Sequence, residues 1–161
     1  EISCSLVGSE MCIRDRVHEA SFVGPLGTVP GFARVITNCR DYTKLMQMLA
    51  NGGIHNGEHI LGRKTIDLIR TNTLTPTMIK EDFSNDYLAG YGYGYGMRTL
   101  MNRYEGQHNG MLGQFGWTGG SGTWAECDPE TGLSIVYMHN LQPNLEQYHH
   151  LRMREVAYGC L

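Results

Sequence analysis

The residues most suggestive of chemistry lie in the stretch 113–140, "GQFGWTGGSGTWAECDPETGLSIVYMHN". Four glycines there lie next to or between Trp117, Thr118 and Trp124; they are Gly116, Gly119, Gly120 and Gly122. Glycine weakens a strand unless another backbone or a ligand must approach it closely. Backbone N–H groups here, with the hydroxyls of Thr118 and Ser121, would suit an extended substrate or a developing oxyanion. A tight strand with its tryptophans in the core is the alternative, and the residues alone fit both interpretations equally well.

The other candidate groups do not assemble a site. No Gly-x-Ser-x-Gly sequence marks a serine as a nucleophile. His149 and His150 are neighbours in a predicted helix, so their rings diverge and cannot share a metal. His55 and His59 are four residues apart, but the glycines around them argue against a helix, and we interpret them as surface histidines. The residues therefore predict no metal and no cofactor.

Composition limits the classes of function. The chain has 161 residues, 18% of them charged, and a net charge of -3, which is typical of one soluble globular domain. Nucleic-acid binders usually carry a basic face, and no run of Lys or Arg occurs here. No segment approaches the ~20 apolar residues of a membrane helix. We expect a small-molecule or peptide partner, while compartment and oligomeric state stay open.

The first sixteen residues, "EISCSLVGSEMCIRDR", show neither helical nor strand periodicity and resemble a translated sequencing adaptor. We interpret residues 1–16 as an artefact, with a disordered tail as the alternative, and leave them out of the fold argument. The domain itself is predicted to occupy residues 17–161.

The clearest helix is predicted in "TNCRDYTKLMQMLANGG", with Thr37 or Asn38 as its cap and Gly52 and Gly53 at its end. Its apolar stripe is Tyr42, Leu45, Met46 and Leu49. A loop or hairpin, "GIHNGEHIL", leads to a second helix, "GRKTIDLIRTN", with Ile66 and Ile69 facing inward. The polar stretch up to Asp86, with Glu81 and Asp82, is predicted to be a loop with a solvated carboxylate cluster.

Strands are predicted in the second half. "GYGYGYGMRTLM" has the two-residue repeat of a strand, and its spacing does not match a Gly-x-Gly-x-x-Gly phosphate loop. A strand over 117–127 is joined by the turn "DPETG" to "LSIVYMH", an apolar run typical of a central, covered strand. "PNLEQYHHLRMREVAY" predicts a closing helix.

The order of these pieces resembles the C-terminal part of the serine β-lactamase-related family, which includes penicillin-binding-protein-like enzymes, class C β-lactamases and their esterase relatives. The resemblance runs from about Ala33 to Leu161 and is carried by the "RDY" helix, "GYGYG", "FGWTGGSGT" and "DPExxLxIVYM". It implies an α+β fold, an antiparallel sheet covered by helices on both faces, of which this chain would supply an incomplete part.

The resemblance also implies site residues. The family uses Ser-x-x-Lys, Tyr-x-Asn, and Lys-Thr-Gly or a variant on an edge strand. Trp117, Thr118 and Gly119 match the third motif with Trp in place of Lys. By analogy, the N–H of Gly120 is an oxyanion-hole donor, and Trp117, Thr118, Gly119 and Ser121 bind substrate. Loss of the Lys removes a fixed positive charge, which weakens the case for penicillin-type substrates with a carboxylate.

The first two motifs do not occur in this sequence, and in the family both precede the region seen here. We therefore expect the C-terminal part of a longer serine hydrolase that forms an acyl-enzyme on an ester, a β-lactam or a peptide amide, and that is inactive without its nucleophile. The alternative is a non-catalytic module that binds a peptide or sugar along the Gly-rich strand edge.

Overall fold

The computed structural model describes residues 4–7, 10–11, 36–83, 85–141 and 143–161. The strands are β1 (Cys4–Val7), β2 (Glu10–Met11), β3 (Ile36–Thr37), β4 (Ile54–His55), β5 (Glu58–His59), β6 (Tyr91–Tyr93), β7 (Arg98–Leu100), β8 (Phe115–Thr118), β9 (Trp124–Asp128) and β10 (Leu133–Tyr137). The helices are α1 (Cys39–Ala50), α2 (Arg63–Ile69), α3 (Pro76–Asp82), α4 (Arg103–Gly106) and α5 (Glu146–Tyr158). None of the helices in these ranges is both long and apolar enough to cross a membrane.

The centre of the fold is a five-stranded antiparallel sheet in the order β10-β9-β8-β7-β6. Every residue of β9 is buried. Because neighbouring residues of a strand point to opposite faces, Ala125 and Cys127 face one layer of helix, and Trp124, Glu126 and Asp128 face the other. Helix α1 lies on the first face and α5 on the second, so the predicted α+β fold is confirmed.

Helix α1 covers the apolar face. Its cap is Asn38, whose side chain accepts a hydrogen bond from the Asp41 N–H at 3.0 Å, as predicted. Its buried side chains pack with Phe115, Ala125, Cys127 and Ile66 in one core; they are Met46, Met48, Leu49 and Ala50. The predicted stripe is therefore right at Met46 and Leu49 and wrong at Leu45, which is 40% exposed.

Between α1 and the first strand of the five-stranded sheet, the structure has the predicted elements and one helix that was not predicted. The β4–β5 hairpin and α2 form as expected, with Ile66 only 2% exposed. The predicted loop before Asp86 is wrong, because Pro76–Asp82 is a helix. Thr75 accepts a hydrogen bond from the Met78 N–H at 3.3 Å, and Pro76 occupies the first turn. A capping Thr followed by Pro is a helix-start signal that outweighs the polar composition.

Two stretches predicted as single strands are hairpins. The "GYGYGYG" segment turns at 94–97 between β6 and β7, and Gly96 has φ +83°. The 117–127 segment turns at 119–123 between β8 and β9, where Gly122 has φ +96°. The Asp128–Gly132 turn and the β9–β10 hairpin are confirmed. β10 lies at an edge of the described sheet and is half-buried, so its prediction as a central strand is wrong.

Short strands also occur within the first sixteen residues. Cys4–Val7 pairs with both Glu10–Met11 and Ile36–Thr37 in antiparallel register. The lack of strand periodicity in this segment therefore does not exclude strands at these six residues. Its interpretation as an artefact and the start of the domain at residue 17 stay predictions.

A buried ionic cluster joins α5 to the second face of the sheet. Arg154 donates from Nε to Glu126 Oε1 and from Nη2 to Glu126 Oε2, both at 3.0 Å. Arg98 Nη2 lies 3.9 Å from the same carboxylate, and all three side chains are 2% exposed or less. Burial acts to raise the pKa of Glu126, but the two arginines outweigh it and hold that pKa below its ordinary value.

The rest of this face is polar as well. Gln114 Nε2 donates to Glu126 Oε1 at 2.9 Å, and the Tyr158 hydroxyl lies 2.6 Å from Gln114 Oε1 and 2.9 Å from an Asp128 oxygen. The residues of α5 that contact the sheet and its turns recur every fourth position, so they lie on one side of the helix. They are Glu146, His150, Arg154 and Tyr158. The outward side carries exposed Met153 and Val156, so α5 buries its polar stripe.

Two histidines are held in this face as well. His108 Nε2 lies 2.8 Å from the Tyr91 hydroxyl, and His150 is fully buried. Burial lowers the pKa of each to about 4, because charging an imidazole away from water is unfavourable.

Replacing Gly116 by alanine is expected to destabilise the sheet by about 2–3 kcal/mol. A Cβ at Gly116 would meet the Ala125 carbonyl oxygen and lie 2.7 Å from Glu126 Cα, both of them backbone atoms of β9. Gly62→Ala is the control, since its Cβ would come no closer than 3.8 Å to the Thr65 hydroxyl, and its cost should stay below about 1 kcal/mol. Urea unfolding measures both, and equal costs would contradict the close-approach argument.

The free energy of unfolding is expected to fall as the pH drops from 6.5 toward 4. In that window the unfolded chain protonates His108 and His150 while the folded chain does not, so protons favour unfolding. His150 alone accounts for up to about 3 kcal/mol. Thermal melts over this range should show a shallower slope for His150→Gln, and a slope identical to that of the parent chain would refute this assignment.

Candidate functional site

Among the described strands, the last two residues of β8 have a neighbouring strand on one side only. β8 has neighbours on both sides, but its register with β7 covers only Phe115 and Gly116. Trp117 and Thr118 pair with β9 alone among the described strands. The predicted edge strand is therefore wrong for β8 as a whole and right for its last two residues, whose other side is free to meet a ligand.

The turn after β8 is closed by its own backbone. The Gly119 N–H donates to the Thr123 carbonyl at 2.8 Å, and the Gly122 N–H donates to the Gly119 carbonyl at 2.9 Å. Between them, the Gly120 N–H has no backbone acceptor among the described residues. An N–H left unpaired in a fixed turn is the kind of donor that can stabilise an oxyanion.

A cavity of about 350 Å³ lies against this turn. It is formed by the end of β8 and its turn, by the segment before β6, and by the start of α5. Its lining residues are Asn85, Tyr87, Leu88, Trp117, Thr118, Gly119, Gly120, Asn144 and Glu146. The structure thus brings together four of the five residues singled out by sequence. Ser121, the fifth, is 4% exposed and lies outside this lining.

Trp117 is held by aromatic neighbours. Its ring stacks on Phe83 at 6.4 Å between centroids and meets Tyr93 edge-on at 5.0 Å. Both arrangements are favoured for aromatic pairs, and they hold the indole in place in the cavity lining. Trp117 therefore supplies a rigid apolar wall of the cavity.

Thr118 is paired with a carboxylate that the sequence analysis missed. Its Oγ1 donates to Glu146 Oε2 at 2.8 Å across 28 positions of sequence. Glu146 is the first residue of α5, where an acidic residue is typical because it favours the helix dipole. That local role gives no sign of a contact with Thr118, so only the tertiary structure identifies Glu146.

His150 holds the turn in position through a buried hydrogen bond. Its Nε2 lies 2.8 Å from the Gly122 carbonyl oxygen and its Nδ1 lies 2.7 Å from the Tyr87 hydroxyl. A carbonyl can only accept, so Nε2 carries the proton and Nδ1 accepts from Tyr87. Arg98 Nη2 donates to the same Tyr87 oxygen at 3.0 Å. The turn is thereby connected to the buried ionic cluster.

The remaining histidines and acids of the described ranges form no second site. The ring of His149 turns away from that of His150 and meets the ring of His139 at 4.9 Å, as the predicted divergence requires. His55 and His59 lie in the β4–β5 hairpin, and His59 is exposed. Within the described ranges no group of three His, Cys, Asp or Glu side chains could hold a metal.

One protein family matches most of this chain. The sequence profile of the family described as Beta-lactamase matches residues 11–158. Among curated proteins, Protein Rv1367c of Mycobacterium tuberculosis (strain H37Rv) is 26% identical over 140 residues, which cover 82% of this chain and 35% of that protein. The chain therefore spans about a third of the length of this relative.

Solved structures share the fold. EstCE1, described as a hydrolase with promiscuous acyltransferase activity, superposes with a TM-score of 0.65 at 22% identity over 81% of this chain and 32% of its own. A penicillin-binding protein homolog from Caulobacter crescentus gives a TM-score of 0.64 at 22% identity over 98% of this chain and 43% of its own. With the family profile matched over most of its length, the chain belongs to the beta-lactamase family.

Proposed function

We propose that this chain forms the substrate-holding and oxyanion-stabilising part of a serine hydrolase that acts through an acyl-enzyme. The observation that carries the proposal is the open end of β8, where the Gly120 N–H borders the same cavity as Trp117 and Thr118. Donors fixed in advance at the place where negative charge develops are the largest single contribution to acyl-transfer catalysis.

The nucleophile is proposed to lie on a part of the protein outside this chain. No serine here has a lysine three residues later, and the chain spans about a third of its curated relative. In the proposed reaction the serine oxygen attacks the carbonyl carbon, and the oxyanion accepts from Gly120 N–H and a second N–H. The proton given up by the serine hydroxyl passes to the leaving alcohol or amine as its bond to the carbonyl carbon breaks. Water then attacks the acyl-enzyme, which releases the acid and returns a proton to the serine oxygen.

The neighbours of the turn have proposed roles that follow from their contacts. Trp117 closes one side of the cavity and packs against the apolar part of a substrate. Thr118 is held toward the cavity by Glu146 and contacts the acyl group. His150 is a positioning residue, since it holds the Gly122 carbonyl and through it the orientation of the turn that presents Gly120.

The test is covalent labelling of a longer protein expressed from the reading frame that precedes this chain in the source DNA. We expect a fluorophosphonate or an activated ester to add one acyl or phosphonyl mass to a Ser-x-x-Lys serine of that protein, and to add none to the 161-residue chain alone. Intact-mass spectrometry and peptide mapping identify the site. Labelling of a serine within this chain, or no labelling of the longer protein together with peptide or sugar binding, would favour a binding module.

In that longer protein, His150→Gln is expected to lower kcat by about tenfold to a hundredfold with a small change in KM. The reason is that His150 contacts the turn rather than the cavity, so its loss displaces the Gly120 N–H without removing a substrate contact. His149→Gln is the matched control on the same helix turn and should keep the parent kcat. A rise in KM with kcat unchanged would instead place His150 in substrate binding.

A further inference from the structure

We propose that Glu146 sets the charge preference of the cavity, so that the site takes ligands with an ammonium group and disfavours carboxylates. The substrates of the proposed hydrolase would then be esters or amides that carry a free amine. This assignment rests on the proposed function for the reaction, while the binding preference itself needs no nucleophile.

Glu146 is the one charged residue among the described residues that line the cavity. The eight others are amides, glycines, a threonine, two aromatic residues and a leucine. A ligand in this space therefore meets one full charge, and that charge is negative. A second carboxylate placed beside it would be disfavoured by like-charge repulsion.

Among the described residues, no cation pairs with the Glu146 carboxylate. Oε2 accepts from the Thr118 hydroxyl at 2.8 Å, and the ion pairs of the described residues involve other acids. Within the same ranges Oε1 has no hydrogen-bond donor, and the side chain is half-buried. A carboxylate in this state has room for a charge-assisted hydrogen bond from an ammonium group.

The buried arginines of this region pair with a different carboxylate. Arg98 and Arg154 share Glu126, and the Tyr87 hydroxyl accepts from Arg98. Burial raises the pKa of Tyr87 above its ordinary value, Arg98 offsets part of that rise, and the Glu146 carboxylate adds to it. The positive end of α5 offsets part of the Glu146 charge and places no side-chain cation near it.

The residue at the family's Lys position acts in the same direction. Trp117 brings an uncharged aromatic ring in place of an ammonium, so this position adds no positive charge that would repel a ligand cation. The cavity therefore has an aromatic wall and a carboxylate, two groups that suit an alkylammonium. A carboxylate ligand would find only neutral donors in the described lining, the Asn85 and Asn144 amides and the Gly120 N–H.

The experiment titrates the full 161-residue chain with benzylamine, benzyl alcohol and benzoate at neutral pH and low salt. Backbone-amide NMR shifts of Gly119 and Gly120 and the indole signal of Trp117 report binding at the cavity. We expect benzylamine to bind about five- to tenfold more tightly than benzyl alcohol, and benzoate to bind most weakly. Added salt should reduce the advantage of the amine.

Two variants on α5 separate charge selection from helix stability. Glu146→Gln should bring the three affinities to within about twofold of one another, since the amide keeps the size of the side chain and removes its charge. Glu155→Gln makes the same change at an exposed position of α5 and should keep the parent order. The proposal is overturned if none of the ligands shifts these signals, if benzoate binds as tightly as benzylamine, or if Glu146→Gln keeps the parent order.

These outcomes are independent of the hydrolase proposal. An amine preference with no acyl-enzyme in the longer protein would leave Glu146 as the charge-selecting residue of a binding site and reject the reaction. An acyl-enzyme formed without any amine preference would keep the reaction and reject the role of Glu146.

Discussion

The pairing of Glu126 with Arg154 is the interaction on which the site depends. It joins the middle of β9 to the third turn of α5, two elements that are separated by 28 positions in sequence. Two further contacts of α5 follow from the helical repeat, because residues four apart lie on the same side. Once Arg154 is fixed on Glu126, His150 reaches the Gly122 carbonyl and Glu146 reaches Thr118.

The cluster is better understood as a constraint on register than as a source of stability. Removing charges from water costs several kcal/mol per ion, and one carboxylate faces two arginines here. Part of that cost is offset by aromatic rings, since the Arg98 guanidinium lies 4.5 Å from the ring centre of Tyr87 and 4.9 Å from that of Tyr91. A slip of α5 by one residue would leave these charges buried without partners, so a single placement of the helix is strongly favoured.

The elements could be predicted where a local signal dominates. The α1 cap at Asn38, the inward Ile66, the Asp128–Gly132 turn and the closing helix follow from capping, periodicity and turn chemistry. The sequence predicts each of the two glycine-rich hairpins as one long strand. The alternation of side chains along the sequence does not distinguish one strand from two strands joined by a glycine turn. The half-burial of β10 could not be predicted either, since it depends on which strands lie beside it.

Of the candidate site, only the residues on β8 and the turn after it could be predicted from the sequence. Four of its residues are adjacent in sequence and match a motif, so the sequence alone identifies them as candidates; they are Trp117, Thr118, Gly119 and Gly120. Glu146 and His150 lie on a helix whose polar stripe reads as an ordinary solvated face. In the structure that stripe is buried and Met153 and Val156 are exposed, the reverse of the usual pattern. Nothing in the residues of α5 alone shows which face is covered, because the partners of the stripe are supplied by β8 and β9.

The role of Trp117 therefore has to be interpreted together with Glu146, which lies outside the Trp117–Gly119 motif. Taken alone, Trp in place of Lys suggests a site that has lost a function. In the structure the indole is packed on Phe83 and Tyr93, and the hydroxyl of the next residue, Thr118, is held by Glu146. An unsupported side chain left by the loss of a charge would have no reason to be fixed in this way. The apolar wall and the carboxylate together fit the proposed preference for ammonium ligands, on the strand and turn that the sequence motif marks.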